Sequence, residues 1–218
     1  MKLNNSEIFI NGPDGKLEAK YVQSKRENAP LAVVLHPHPE YGGTMNNKVI
    51  YHAYHTFLKN GFSVCRFNFR GVGKSDGVFD NGQGELSDAA AALDFIQRNN
   101  ANSNESWVVG FSFGALISMQ LLMRRPEIFR FISISPQPNI FDFNFLAPCP
   151  TSGLVVHGDQ DQLVPKDTML ILKEKLVSQK NITVDFNEIK GANHFFTHKE
   201  KNLVDCIDAY IKKESRLF

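Results

Sequence analysis

A three-layer α/β fold around a mostly parallel sheet is what this sequence predicts, and three observations carry the prediction. Short apolar runs alternate with helical stretches throughout the second half of the chain, which is the pattern of βα units. Leu31–Leu35 (LAVVL) is apolar at every position, as a parallel strand buried on both faces requires. The chain, at 218 residues, is long enough for one substantial core and shows no internal repeat, low-complexity tract or linker, so one domain spanning 1–218 is expected.

The elements follow in order. Glu7–Ile10 and Leu17–Gln23 read as edge-like strands, because Asn-Gly-Pro-Asp-Gly between them is a strong turn signal. After Leu31–Leu35, the stretch Asn47–Lys59 reads as a helix that ends at Gly61. Phe62–Phe69 is the next strand, running into a glycine-rich loop, and Glu85–Gln97, with four consecutive alanines, is a helix. Trp107–Phe111 is a strand followed by a helix over Ala115–Arg125, stopped by Pro126. Phe131–Ile134 and Leu154–His157 are strands, Asp167–Ser178 a helix, Ile182–Ile189 the last strand and Asn202–Lys213 the last helix. The longest irregular stretch is Gln137–Pro150, too short for a separate domain.

The totals exclude several function classes. A formal charge of +1 gives no basic field for nucleic acid or anionic lipid. No stretch of about 18 apolar residues and no apolar leader occurs, so no membrane span and a cytoplasmic location are expected. Cys65, Cys149 and Cys206 lie far apart with no CxxC pair, which suits free thiols in a reducing compartment. His36 and His38 with His52 and His55 lack an Asp, Glu or Cys cluster to complete a metal site, and neither a metal nor a cofactor is expected.

Two glycine-containing motifs compete for the chemistry. Gly73-Lys74-Ser75 resembles the tail of a phosphate-binding GxxxxGK[ST] loop. Its first glycine, however, falls on Asn68, and the residues after Ser75 are loop-forming where a helix must start. Gly110-Phe111-Ser112-Phe113-Gly114 lies instead between a strand and a helix, the setting of a GxSxG nucleophile elbow. A serine hydroxyl needs a base to take its proton, and an imidazole held by a carboxylate does this best near neutral pH. His157-Gly158-Asp159-Gln160-Asp161 and Gly191-Ala192-Asn193-His194 each follow a later strand. They offer Asp159 or Asp161 as the acid and His194 as the base, with His198 a rival base.

These residues resemble the α/β-hydrolase superfamily from about Leu31 to Tyr210. The HPHPxYGGxMxNK run from His36 and the FNFRGVGxSxGxFDxGxGE run from Phe67 are similar to a bacterial group of small, lidless members. The resemblance implies a mostly parallel eight-stranded sheet flanked by helices on both faces, with no substantial lid domain. It implies Ser112 as nucleophile, Asp161 as acid and His194 as base. It also makes Arg70–Ser75 an RGxGxS turn at the strand end, with Lys74 a solvated side chain. One oxyanion donor is then the backbone N–H of Phe113. The second comes from the loop after Leu35, where Pro37 and Pro39 have no N–H; His38 is expected, with Glu40 and Tyr41 as alternatives.

The function implied is a serine esterase or thioesterase acting on a small to medium acyl ester, as a monomer or homodimer. A small peptidase or amidase would use the same triad, and a non-catalytic binding protein would use the same fold. Tyr41, Phe111, Phe143 and Phe195 are the expected wall of an apolar acyl pocket, and plain core filling is the alternative for each.

Overall fold

The computed structural model describes residues 6–217. Its eight strands are β1 (Ser6–Gly12), β2 (Gly15–Val22), β3 (Leu31–Leu35), β4 (Ser63–Phe67), β5 (Ser106–Phe111), β6 (Ile128–Ile134), β7 (Gly153–Gly158) and β8 (Val184–Ile189). They form one sheet in the order β1-β2-β4-β3-β5-β6-β7-β8. Pairings β1–β2 and β2–β4 are antiparallel and the other five are parallel. Five helices connect them: α1 (Lys48–Lys59), α2 (Gln83–Arg98), α3 (Phe113–Leu122), α4 (Lys166–Val177) and α5 (Glu200–Glu214). This is the α/β-hydrolase fold. The connection between β6 and β7 holds only a one-turn 3-10 helix, Asn144–Leu146, so no lid is inserted there.

Burial follows the strand patterns. Every residue of β3, β4 and β5 is buried, because helices cover both faces of the central sheet. One core lies under α2, α3 and α4, and a second under α1 and α5. In the second, Trp107 meets Phe57, Phe62 and Tyr210 edge-on at 5.7, 5.7 and 5.8 Å, each pair adding about 0.5–1.5 kcal/mol to its burial.

The glycine-rich loop after β4 has a different anatomy from a phosphate cradle. The strand stops at Phe67, two residues earlier than the apolar pattern predicts, because Asn68 turns into a polar knot. Its amide donates to Glu18 Oε2 at 2.8 Å and its Oδ1 accepts from Met45 N. Ser75 Oγ donates to Asn68 O and accepts from Glu18 N, so the hydroxyl is consumed within the turn. Lys74 is exposed and pairs with Glu7. The next helix starts only at Gln83, where Glu85 reaches back to the N–H groups of Asp80 and Gly82.

Arg70 fastens this turn to the sheet's cover. Its guanidinium takes both carboxylate oxygens of Asp88 on α2, at 3.0 and 2.8 Å, and Asp88 also accepts from Arg70 N. Both side chains are buried. Removing one member of such a pair leaves the other uncompensated, at a cost of about 3–5 kcal/mol. Asp88→Ala should therefore lower the unfolding free energy obtained from urea titration by that amount, whereas Lys74→Ala should leave it nearly unchanged.

Candidate active site

Ser112 stands at a tight strand-to-helix turn. Between β5 and α3 its backbone takes φ 57° and ψ −116°, a region that costs a non-glycine residue on the order of 1–3 kcal/mol. The flanking glycines are required by close backbone approach. A Cβ on Gly110 would lie 2.0 Å from Gly114 O, and one on Gly114 would lie 2.3 Å from Leu35 O. Ser112 N donates to Ile134 O and Ser112 O accepts from Ala115 N, which clamp the turn from both sides. The first turn of α3 then directs its free N–H groups at the space above Ser112.

Asp161 and His194 come from the loops after β7 and β8. His194 Nδ1 donates to Asp161 Oδ2 at 2.7 Å. Asp161 Oδ1 accepts from Leu163 N and Val164 N, so three donors fix the carboxylate, and both side chains are at most 4% exposed. This leaves the Nε2 lone pair of His194 as the ring's available base. The imidazole is seated by its own loop: Asn193 Oδ1 accepts from Phe195 N and Thr197 N, and Ser135 Oγ donates to His194 O. The rival residues lie elsewhere. Asp159 accepts from Gly191 N and shapes the base's loop, and His198 is exposed.

One residue here carried no sequence signal. Ser112 Oγ donates to Gln137 Oε1 at 2.9 Å, and no hydrogen bond joins it to His194 among the described residues. Gln137 follows β6 within the irregular segment, where no motif or period marks it; only its place after a strand end on the same sheet edge could have drawn notice.

The loop after β3 is pinned by a buried histidine. His36 Nδ1 donates to Pro37 O at 2.6 Å and Nε2 accepts from Phe69 N at 3.0 Å. Burial pushes its pKa down to about 4, so the ring is neutral. In the same loop Glu40 N donates to the His38 ring, and Tyr41 N and Gly43 N donate to His38 O. The N–H groups of Glu40 and Tyr41 are thus spent, while those of His38 and Phe113 have no acceptor among the described residues.

A cavity of about 450 Å³ opens above the serine. Ser112, Gln137 and His194 form its floor, and Pro37, His38, Tyr41, Ile140, Phe141, Leu163 and Phe195 its sides. Tyr41 and Phe195 are 86% and 50% exposed, so its rim is apolar and open. Two expected wall residues are not there. Phe111 is fully buried below the His194 ring, 5.2 Å away, and Phe143 is buried in the core and stacked on Phe145. Phe141, Ile140 and Leu163 occupy the wall instead.

Among the described residues no group of three or more His, Cys, Asp or Glu is placed to hold a metal ion, and no helix is long and apolar enough to cross a membrane. The three cysteines are unpaired and none lines the cavity; burial raises the Cys65 thiol to about 12 and the Cys206 thiol to about 11.

Comparison with known proteins gives the same architecture. A family model described as X-Pro dipeptidyl-peptidase (S15 family) matches residues 14–145. A Rickettsia prowazekii protein described as uncharacterized is 50% identical over 209 residues, 94% of this chain and 88% of that one. A structure of a candidate α/β-hydrolase of unknown function from Agrobacterium tumefaciens is 52% identical, with a TM-score of 0.93 over 95% of each chain. A serine hydrolase homologue from Coxiella burnetii is 34% identical (TM-score 0.83, 95% of this chain and 97% of that one). A Xanthomonas campestris serine hydrolase described as lacking a lid is 30% identical (TM-score 0.85, 95% and 94%).

His36 makes the loop after β3 sensitive to acid. Its folded pKa lies below the ordinary 6.5, so between pH 6.5 and 4 the unfolded chain binds a proton that the folded chain does not. Stability is full above pH 6.5 and falls as pH drops toward 4, by roughly 3 kcal/mol from this group. Urea titrations across that range should show His36→Gln, which keeps a donor and an acceptor without titrating, losing this component of the slope.

Proposed function

The chain belongs to the X-Pro dipeptidyl-peptidase (S15) family of α/β-hydrolases, and on that premise we propose that it is a serine esterase or thioesterase cleaving small to medium acyl esters. The observation that carries this reading is the convergence of Ser112, the Asp161–His194 pair and two unengaged backbone N–H groups on one apolar cavity.

The chemistry follows from these parts. His194 Nε2 takes the Ser112 Oγ proton as the oxygen attacks the carbonyl carbon of the ester. Asp161 holds the ring with Nε2 inward and stabilises the imidazolium. The N–H groups of Phe113 and His38 donate to the oxyanion that forms. His194 then returns the proton to the departing alcohol or thiol, leaving the acyl group on Ser112. Water, deprotonated by His194, attacks the acyl-enzyme and regenerates the serine.

The cavity favours an ester over a peptide. A dipeptidyl peptidase must hold the ammonium of its substrate's N-terminus, which a carboxylate does best, and no Asp or Glu lines this cavity among the described residues. The apolar sides suit a neutral acyl chain, and the volume falls within the range of small-molecule sites.

The test begins with a fluorophosphonate probe and mass spectrometry. A stoichiometric adduct on Ser112, absent from Ser112→Ala and at least about a thousandfold slower in His194→Ala, is expected. Hydrolysis of p-nitrophenyl esters should be faster for neutral alkyl acyl groups than for carboxylate-bearing ones of equal length. A folded protein that forms no adduct and binds the ester without turnover would make this a binding protein on a hydrolase fold.

A further inference from the structure

Gln137 occupies the nucleophile's only proton. Ser112 Oγ donates to Gln137 Oε1 at 2.9 Å, while the Nε2 of His194 has no partner among the described residues. An amide oxygen is far too weak a base to remove a hydroxyl proton, so this bond holds the proton without activating the oxygen.

The glutamine is built into place. Its carbonyl accepts from Ile140 N and Phe141 N, which folds the segment after β6 into a turn against the cavity. That segment starts at Ser135, whose backbone is left-handed at φ 43°; its N–H donates to Val156 O and its hydroxyl to the carbonyl of His194. One five-residue stretch, Ser135 to Asn139, thus touches both the nucleophile and the backbone of the base. The Gln137 amide nitrogen, with no acceptor among the described residues, belongs to a side chain on the cavity floor.

We propose that Gln137 is a resting-state brake on the serine: it keeps the Ser112 proton turned from His194 until an incoming acyl group displaces its amide. The inference rests on the serine-hydrolase reading of the same site. Attack requires Oγ to leave Oε1 and donate to His194 Nε2, so the Gln137 bond stabilises the resting state and is absent from the transition state. An interaction made only before reaction slows it by its own net strength. For one hydrogen bond that is roughly two- to tenfold.

The experiment measures second-order rates of fluorophosphonate labelling across pH for wild type, Gln137→Met, Gln137→Ala and Gln137→Glu. Circular dichroism and the thermal midpoint certify each fold. Gln137→Met and Gln137→Ala should label Ser112 two- to tenfold faster than wild type, with the pH midpoint of the rate unmoved. Gln137→Glu, whose carboxylate accepts the same proton more strongly, should label several-fold more slowly. Labelled wild type with folded Met and Ala variants at or below its rate overturns the brake and leaves the hydrolase reading standing. No labelling of wild type or of any variant overturns both.

Discussion

The approach of two backbones at Gly114 governs this molecule. The chain leaves β5, reverses and enters α3 with less room at Gly110 and Gly114 than a methyl group occupies. That closeness seats the N-terminal turn of α3 against the end of β3, at the carbonyls of Leu35 and His36. It also forces Ser112 into a backbone region that packing must sustain. The serine, the helix N-terminus and the proline-bounded loop after β3 are therefore one rigid unit. Asp161 and His194 are brought to it by the parallel order of β5, β6, β7 and β8, whose carboxyl ends share an edge.

Around this unit the protein places polar groups where they are satisfied and leaves few free. His36 is neutral and doubly bonded, Glu18 and Asn68 close the turn after β4, and Arg70 is neutralised by Asp88. Among the described residues, the groups left without partners at the cavity include those an acyl transfer uses, two amide N–H groups and one imidazole lone pair, together with the Gln137 amide nitrogen. The site's geometry is held by the hydrogen bonds of its neighbours.

Much of this was legible in the sequence because the relevant signals are local. All eight strands and five helices are announced by apolar runs, caps and glycine stops, and the GxSxG turn reveals itself by lying between a strand and a helix. Asp161 and His194 sit in short loops at strand ends, where the residues alone leave Asp159 and His198 as rivals and the family resemblance makes the choice. The failures are non-local. Gln137 meets Ser112 only because β5 and β6 are neighbours, and the segment that carries it has no period. For the same reason the alternating Phe141, Phe143 and Phe145 could not be sorted into wall and core: a loop without regular geometry has no defined face. The strand over Phe62–Phe69 was overrun because Asn68 bonds to Glu18, fifty residues earlier.

The order in which the parts appear along the chain has a consequence during synthesis. Ser112 and the N–H groups of His38 and Phe113, the proposed nucleophile and oxyanion donors, are encoded ahead of residue 114, whereas Asp161 and His194, the proposed acid and base, follow β7 and β8. A chain emerging from the ribosome can form the central strands and the elbow while it has neither Asp161 nor His194. On the proposed mechanism, such an intermediate exposes a serine that has no base to take its proton. On that mechanism, completing the sheet with the last strand and its loop is also what brings the serine its base.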